Sequence, residues 1–282
     1  MDSDVIPPPR DESHIDLTLS WRMFRQNAKP FLATQGIALG GVIGFAVVIS
    51  ILLSVFGLET SSGSNPEGIL TIQDFFVLFL QVPSLLIFLA FQGSLFGLAF
   101  DVMSSGDQFT ELGGTFRYLG KFWRRYLLFG FFLNLPTICL VIIGVSFGGV
   151  ALAHLADLII LFTPISFVVF VIFVQAGPAL TTQSDIKSAF KDNFQTLRTA
   201  LRRLLKTWII FWIIFYLPYF ITNLLVLAQI NAFMQGDLTG LYLLVLALIT
   251  EMWYFFAGVP VQTLTATRIF NSLHLAPPRE KS

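Results

Sequence analysis

Six runs of apolar residues, each longer than twenty, dominate the chain, at 33–57, 75–101, 124–150, 156–178, 207–229 and 240–265. At a rise of about 1.5 Å per residue, a helix of that length crosses the roughly 30 Å hydrocarbon core of a bilayer. Inside hydrocarbon every backbone amide must find its partner within the segment, and these runs are far longer than the strands of a barrel, so each reads as a transmembrane helix. The charge content agrees: only 12% of residues are charged, against about 25% in a water-soluble domain. The fold class expected is all-α, a polytopic membrane protein of six spans.

The distribution of cations orients the spans. All 17 Lys and Arg fall in four segments: before the first span (Arg10, Arg22, Arg25, Lys29), between the second and third (Arg117, Lys121, Arg124, Arg125), between the fourth and fifth (Lys187, Lys191, Arg198, Arg202, Arg203, Lys206), and after the sixth (Arg268, Arg279, Lys281). The alternate loops carry acids such as Glu59, Glu67 and Asp237 but no base. Basic segments resist translocation, so both termini are expected on the cytoplasmic side of the plasma (inner) membrane. An odd number of spans would destroy the pattern. The first 30 residues lack the basic start and short apolar core of a cleaved leader, so the first span is expected to be retained.

The basic segments resemble one another. Phe122–Pro136 (FWRRYLLFGFFLNLP) aligns without gaps with Leu204–Pro218 (LLKTWIIFWIIFYLP), and the same offset sets Pro178 against Pro260. The expected organisation is a cytoplasmic tail and amphipathic helix over 1–30, a six-helix membrane domain over 31–268, and a cytoplasmic tail over 269–282. Within it, three repeats at 13–103, 109–180 and 184–268 each place a basic amphipathic helix before a transmembrane hairpin. From Ile186, apolar residues recur at Phe190, Phe194, Leu197, Leu201 and Leu204, one face of a helix. Such helices lie in the headgroup layer with cations toward anionic phosphates. Arg117, Lys121, Arg124, Arg125, Lys187, Lys191, Arg198, Arg202 and Arg203 are the candidates for that contact. The competing reading makes them topological anchors only.

The stretches LSWRMFRQN (19–27), ELGGTFRYLGKFWRR (111–125) and SDIKSAFKDNFQTLR (184–198) resemble the membrane domain attached to some bacterial glycerophosphodiester phosphodiesterases, and related six-helix families of unknown function. There each hairpin is led by a short ALxxSWxxxxxN helix. Ser20 and Trp21 match it, while Asn193 and Phe194 replace that pair in the third copy. The resemblance implies a six-helix fold and a supporting role beside an enzyme or complex, not phosphodiesterase activity.

Glu251 is the one formal charge expected near the midplane. An acid there is costly and is a functional candidate, with Asn134, Asn223, Gln81 and Gln92 as its intramembrane polar neighbours. The alternative is a hydrogen-bonded acid that joins helices. Gly36, Gly40 and Gly44 form a small-residue ladder on the first span, as do Gly93 with Gly97 and Gly144 with Gly148, expected to admit close helix packing within the chain. Prolines at 83, 136, 164, 178, 218 and 260 are expected to kink the spans.

A single cysteine, Cys139, excludes an internal disulfide and a cysteine-based metal site. Only three histidines occur, and His154 with Asp157 lacks a third ligand, so no cofactor or metal is expected. No phosphate loop or hydrolase elbow is present, and a net charge of zero gives no sign of nucleic-acid binding. The expectation is a non-catalytic scaffold, accessory subunit or lipid-interacting module whose partners are membrane lipids and other membrane subunits. The runner-up is a transporter or channel-like protein working through Glu251. A lipid-modifying enzyme would have to use the sparse set His154, Asp157, Asp74 and Asp101.

Overall fold

A computed structural model of the chain describes residues 13–55, 72–104, 113–146, 155–183, 185–228 and 238–274. The described residues are helical almost throughout, with no strand among them. Helix α1 (Ser13–Gln26) leads into α2 (Ala28–Val55), followed by α3 (Ile72–Ser104) and α4 (Gly113–Ser146). Next come α5 (Leu155–Phe173), α6 (Ala176–Thr182) and α7 (Ile186–Phe211). A π-helical turn at Trp212–Tyr216 joins α7 to α8 (Leu217–Ala228), and another at Tyr254–Gly258 joins α9 (Leu238–Trp253) to α10 (Val259–His274).

Five described stretches are helical, long and apolar enough to cross a bilayer: Ala28–Leu52, Leu86–Ser104, Thr163–Thr182, Ile186–Val226 and Leu241–His274. They cover five of the six expected spans. The other, 124–150, falls on α4, helical through Ser146. Large apolar side chains such as Ile43, Val47, Val48, Ile51 and Val55 on α2, and Leu241, Val245 and Ile249 on α9, point outward. A continuous apolar exterior of this kind has lipid as its solvent. The chain is a membrane-embedded, all-helical protein.

The amphipathic segments are not all separate helices. Only the first is, divided from α2 by Asn27, whose backbone amide and side-chain Nδ2 both donate to the Met23 carbonyl. In α4 the basic segment runs straight on into the apolar one. In α7 the two are fused across a kink at Ala200 (φ −126°, ψ 21°). Helix α7 begins where Asp185, in extended conformation, accepts from the amides of Lys187 and Ser188 at 3.2 and 3.1 Å. These bonds hold the exposed carboxyl below its ordinary value of 3.8. The cap therefore contributes fully above that value and is lost as pH falls through the lowered one. The protection of the Lys187 and Ser188 amides against exchange, relative to their intrinsic rates at each pH, is expected to fall on such acidification and to be absent at every pH in Asp185→Ala.

Helix α2 packs on α3, α4 on α5, and α8 on α9, while α1 lies against α7 and α10. One core joins them, with Phe31, Leu98, Tyr126, Leu180, Leu204, Trp208, Phe211 and Phe270 among its buried members. The glycine ladders divide by role. Gly93 and Gly97 seat the rings of Tyr126 and Tyr118, which a Cβ would strike. Around Gly36, Gly40 and Gly44 a Cβ would meet nothing within 4 Å, so that face packs against no described residue, contrary to the expectation of packing within the chain. Of Gly144 only the helical backbone is described, and Gly148 lies outside the described residues.

The two π turns have a covalent cause. Leu217 N donates to the Trp212 carbonyl and Val259 N to the Tyr254 carbonyl, five residues back in each case. The next residue is Pro218 in one and Pro260 in the other. A proline in a regular helix drives its ring into the carbonyl four residues earlier and offers no N–H. The wider turn relieves the clash. It leaves the Phe255 carbonyl without a backbone donor, since Val259 is committed to Tyr254 and Pro260 has no hydrogen to give. Gln35 of α2, buried, donates its Nε2 to that oxygen at 3.0 Å. Before Pro178 the solution differs: α5 stops at Phe173 and the helix restarts at Ala176.

Candidate functional site

The polar centre of the described structure lies where α1, α7 and α10 meet. Asp16, wholly buried, accepts from Arg203 through both oxygens, Nε to Oδ2 at 2.6 Å and Nη2 to Oδ1 at 2.7 Å. Arg268 adds Nε to Oδ1 at 3.2 Å. Arg203 also donates from Nη1 to Ser272 Oγ at 3.2 Å. Paired, bidentate geometry of this kind is what makes a buried carboxylate tolerable. Among the described residues one carboxylate faces two guanidiniums, an excess of positive charge. The arginine side chains are 17% and 28% exposed, which places the cluster at the edge of the protein.

Beside it runs an apolar groove of about 290 Å³, open on one side, lined by Leu17, Trp21, Ile214, Phe215, Trp253 and Val261. Trp21 lies 6.2 Å from Phe215 and 5.8 Å from Trp253, and the Phe215 and Trp253 rings stack at 5.5 Å. The π turns shape this wall, because Ile214 and Phe215 belong to the first and Trp253 immediately precedes the second.

The basic residues singled out from the sequence separate into two groups. Arg203 is spent on Asp16, and Arg125 donates to the carbonyls of Leu180 (3.2 Å) and Gln183, closing the end of α6. Arg117 bonds Asp101 at 3.1 Å and the Tyr118 hydroxyl at 2.9 Å. Burial first, and then the hydrogen bond to Asp101, raises the pKa of Tyr118. Lys121, Arg124, Lys187, Lys191, Arg198 and Arg202 are exposed, with Lys121 over the Phe122 ring and Arg124 over the Trp123 ring.

Among the described residues the intramembrane polar set does not assemble. Glu251 points outward and makes no hydrogen bond or ion pair among the described residues; Tyr219 is its electrostatic neighbour. Asn223, also outward, donates to its own helix at the Tyr219 carbonyl, 2.8 Å away. Between these two positions Thr222 and Thr250 hydrogen-bond across the α8–α9 contact at 2.7 Å. Gln92 is half-buried on α3. The side chains of Gln81 and Asn134 lie outside the described residues. Glu251→Gln is expected to leave thermal stability in detergent within about 0.5 kcal/mol of the parent, as for an outward side chain without partners.

Asp16 is the residue that sequence reading missed, along with Arg268 as its partner. Ser20, from the SW motif, is buried a turn beyond Asp16 with its hydroxyl unpartnered among the described residues, and Trp21 lines the groove. Asn193, in the corresponding place of the third copy, donates to the Ile172 carbonyl at 2.8 Å. Three His, Cys, Asp or Glu side chains nowhere come together as a metal cluster among the described residues. No family model, curated protein or solved structure matches the chain.

Proposed function

We propose that the chain is a six-span accessory or scaffold protein of the plasma membrane, without catalysis of its own, that holds lipid and a membrane partner. Its three hairpins are α2 with α3, α4 with α5, and the α7–α8 unit with the α9–α10 unit. Both termini and the basic segments lie on the cytoplasmic side. The repeat is supported by positions rather than by letters: Phe122 and Leu204, and Tyr126 and Trp208, are buried in both aligned copies. The resemblance to membrane domains that accompany glycerophosphodiester phosphodiesterases agrees with a supporting role.

The observation that carries this reading is the direction of Glu251. A carboxylate that served a transport path would face the bundle interior or a water-filled cavity. Here it faces out, beside the outward Asn223. An acid exposed at that depth is costly against hydrocarbon, and a partner helix with a polar group removes the cost. The test places a photo-crosslinking residue at Leu248, one turn before Glu251 and exposed, in the native membrane. Protein adducts are expected, weakened by Glu251→Gln. Adducts with lipid alone would overturn the accessory reading. Solute flux into liposomes by the purified chain, abolished by Glu251→Gln, would establish the transporter instead.

A further inference from the structure

We infer that the groove and the Asp16–Arg203–Arg268 cluster together form a binding site for an anionic phospholipid of the inner leaflet, with an acyl chain against Trp21, Phe215 and Trp253 and the phosphate on Arg268. This rests on reading the chain as a lipid-engaging membrane protein and adds the headgroup chemistry and the place.

Three observations converge. The first is charge. Arg203 already satisfies both oxygens of Asp16, whereas Arg268 touches the carboxylate through Nε alone. The two Nη groups of Arg268 have no partner among the described residues, and among those residues the cluster sets two guanidiniums against one carboxylate. A guanidinium fork with free donors at a protein edge matches a phosphate. The second is shape: the groove is apolar, aromatic and open to the side, as an acyl chain entering from lipid requires.

The third is register. Arg203 on α7 precedes Ile214 of the following π turn by eleven residues, and on α10 Arg268 follows Val261 by seven. These helices run in opposite senses relative to the groove, one entering the apolar region and one leaving it. Both therefore set their arginine toward the same end, about 10–17 Å along the axes from the groove residues. On α1, Asp16 is followed directly by the groove residue Leu17. A cation at headgroup depth and an apolar slot at acyl depth are thus fixed in line by three helices. The outer half of the cluster is what the membrane surface presents with phosphate.

The test uses the purified full-length chain in mild detergent with phosphatidylglycerol and phosphatidylcholine of identical acyl chains, and reads retained lipid by native mass spectrometry. The parent chain is expected to retain phosphatidylglycerol preferentially. Arg268→Gln is expected to reduce that preference about fivefold, the factor for one basic group near a phosphate, while Lys29→Gln, an exposed cation on α2, leaves it unchanged. Ile214→Trp, which fills the groove, is expected to lower retention of both lipids alike. Equal retention of the two lipids by the parent chain overturns the inference, as does a Lys29→Gln effect as large as that of Arg268→Gln. Displacement of phosphatidylglycerol by inorganic phosphate reassigns the cluster to free anions and also overturns it. Retention of neither lipid sinks the lipid-engaging reading itself, so the two failures are distinguishable, and the parent chain's preference decides the matter even if Arg268→Gln does not fold.

Discussion

Asp16→Ala is expected to destabilise the protein by about 3–5 kcal/mol, the cost of leaving buried cations without their counter-charge. The carboxylate is fully buried and ties α1 to α7 and α10. Without it two guanidiniums face each other across the space that Asp16 filled. Their exposures of 17% and 28% let water reach part of that charge, so the lower end of the range applies. The measurement is thermal or denaturant unfolding in a fixed detergent. Asp16→Ala combined with Arg268→Met should lose less than the two single effects added, because each removes the other's penalty. Additive losses would mean the arginines are supported by solvent rather than by Asp16.

The second large effect concerns a single hydrogen bond. Gln35→Leu keeps the volume but strands the Phe255 carbonyl inside the bundle, at an expected cost of about 1–3 kcal/mol. The same oxygen lost its backbone donor because residue 260 is proline. Pro260→Ala in the Gln35→Leu background restores an N–H in reach of it and is expected to recover most of the loss. In the parent background Pro260→Ala brings no such gain, since Gln35 already serves the carbonyl. Equal effects of Pro260→Ala in both backgrounds would show that the π turn and Gln35 are independent.

The spans were legible because hydrocarbon demands length and apolarity, and both are written locally in the chain. The same holds for three of the six prolines expected to kink the spans: Pro218 and Pro260 make the helix yield through π turns, and Pro178 follows a break at residues 174–175, whereas Pro164 lies inside α5. Choices between equivalent residues were not legible. Arg203 is one of six cations between the fourth and fifth spans, and nothing in its spacing says that it turns toward Asp16, 187 residues earlier. Gly36, Gly40 and Gly44 have the same spacing as Gly93 and Gly97, yet only the latter pair meets neighbouring rings. A small-residue ladder permits close approach and does not create it. Asp16 itself lay hidden in the segment read as a cytoplasmic tail and amphipathic helix, because a buried acid is recognised only by its partners. Glu251 was legible as an intramembrane acid, but its direction depended on how α8 meets α9, through Thr222 and Thr250.

The most direct test of the account is side-specific labelling in intact cells. Cys139 is first replaced, since it is the only cysteine. Single cysteines are then placed at Ser62, between the first two spans, and at the exposed Thr199 of α7, and probed with a membrane-impermeant maleimide. Labelling of Ser62Cys in intact cells, with Thr199Cys reached only after permeabilisation, is the predicted result. Labelling of Thr199Cys from outside would contradict the orientation, and with it the placing of the Arg268 guanidinium among inner-leaflet phosphates.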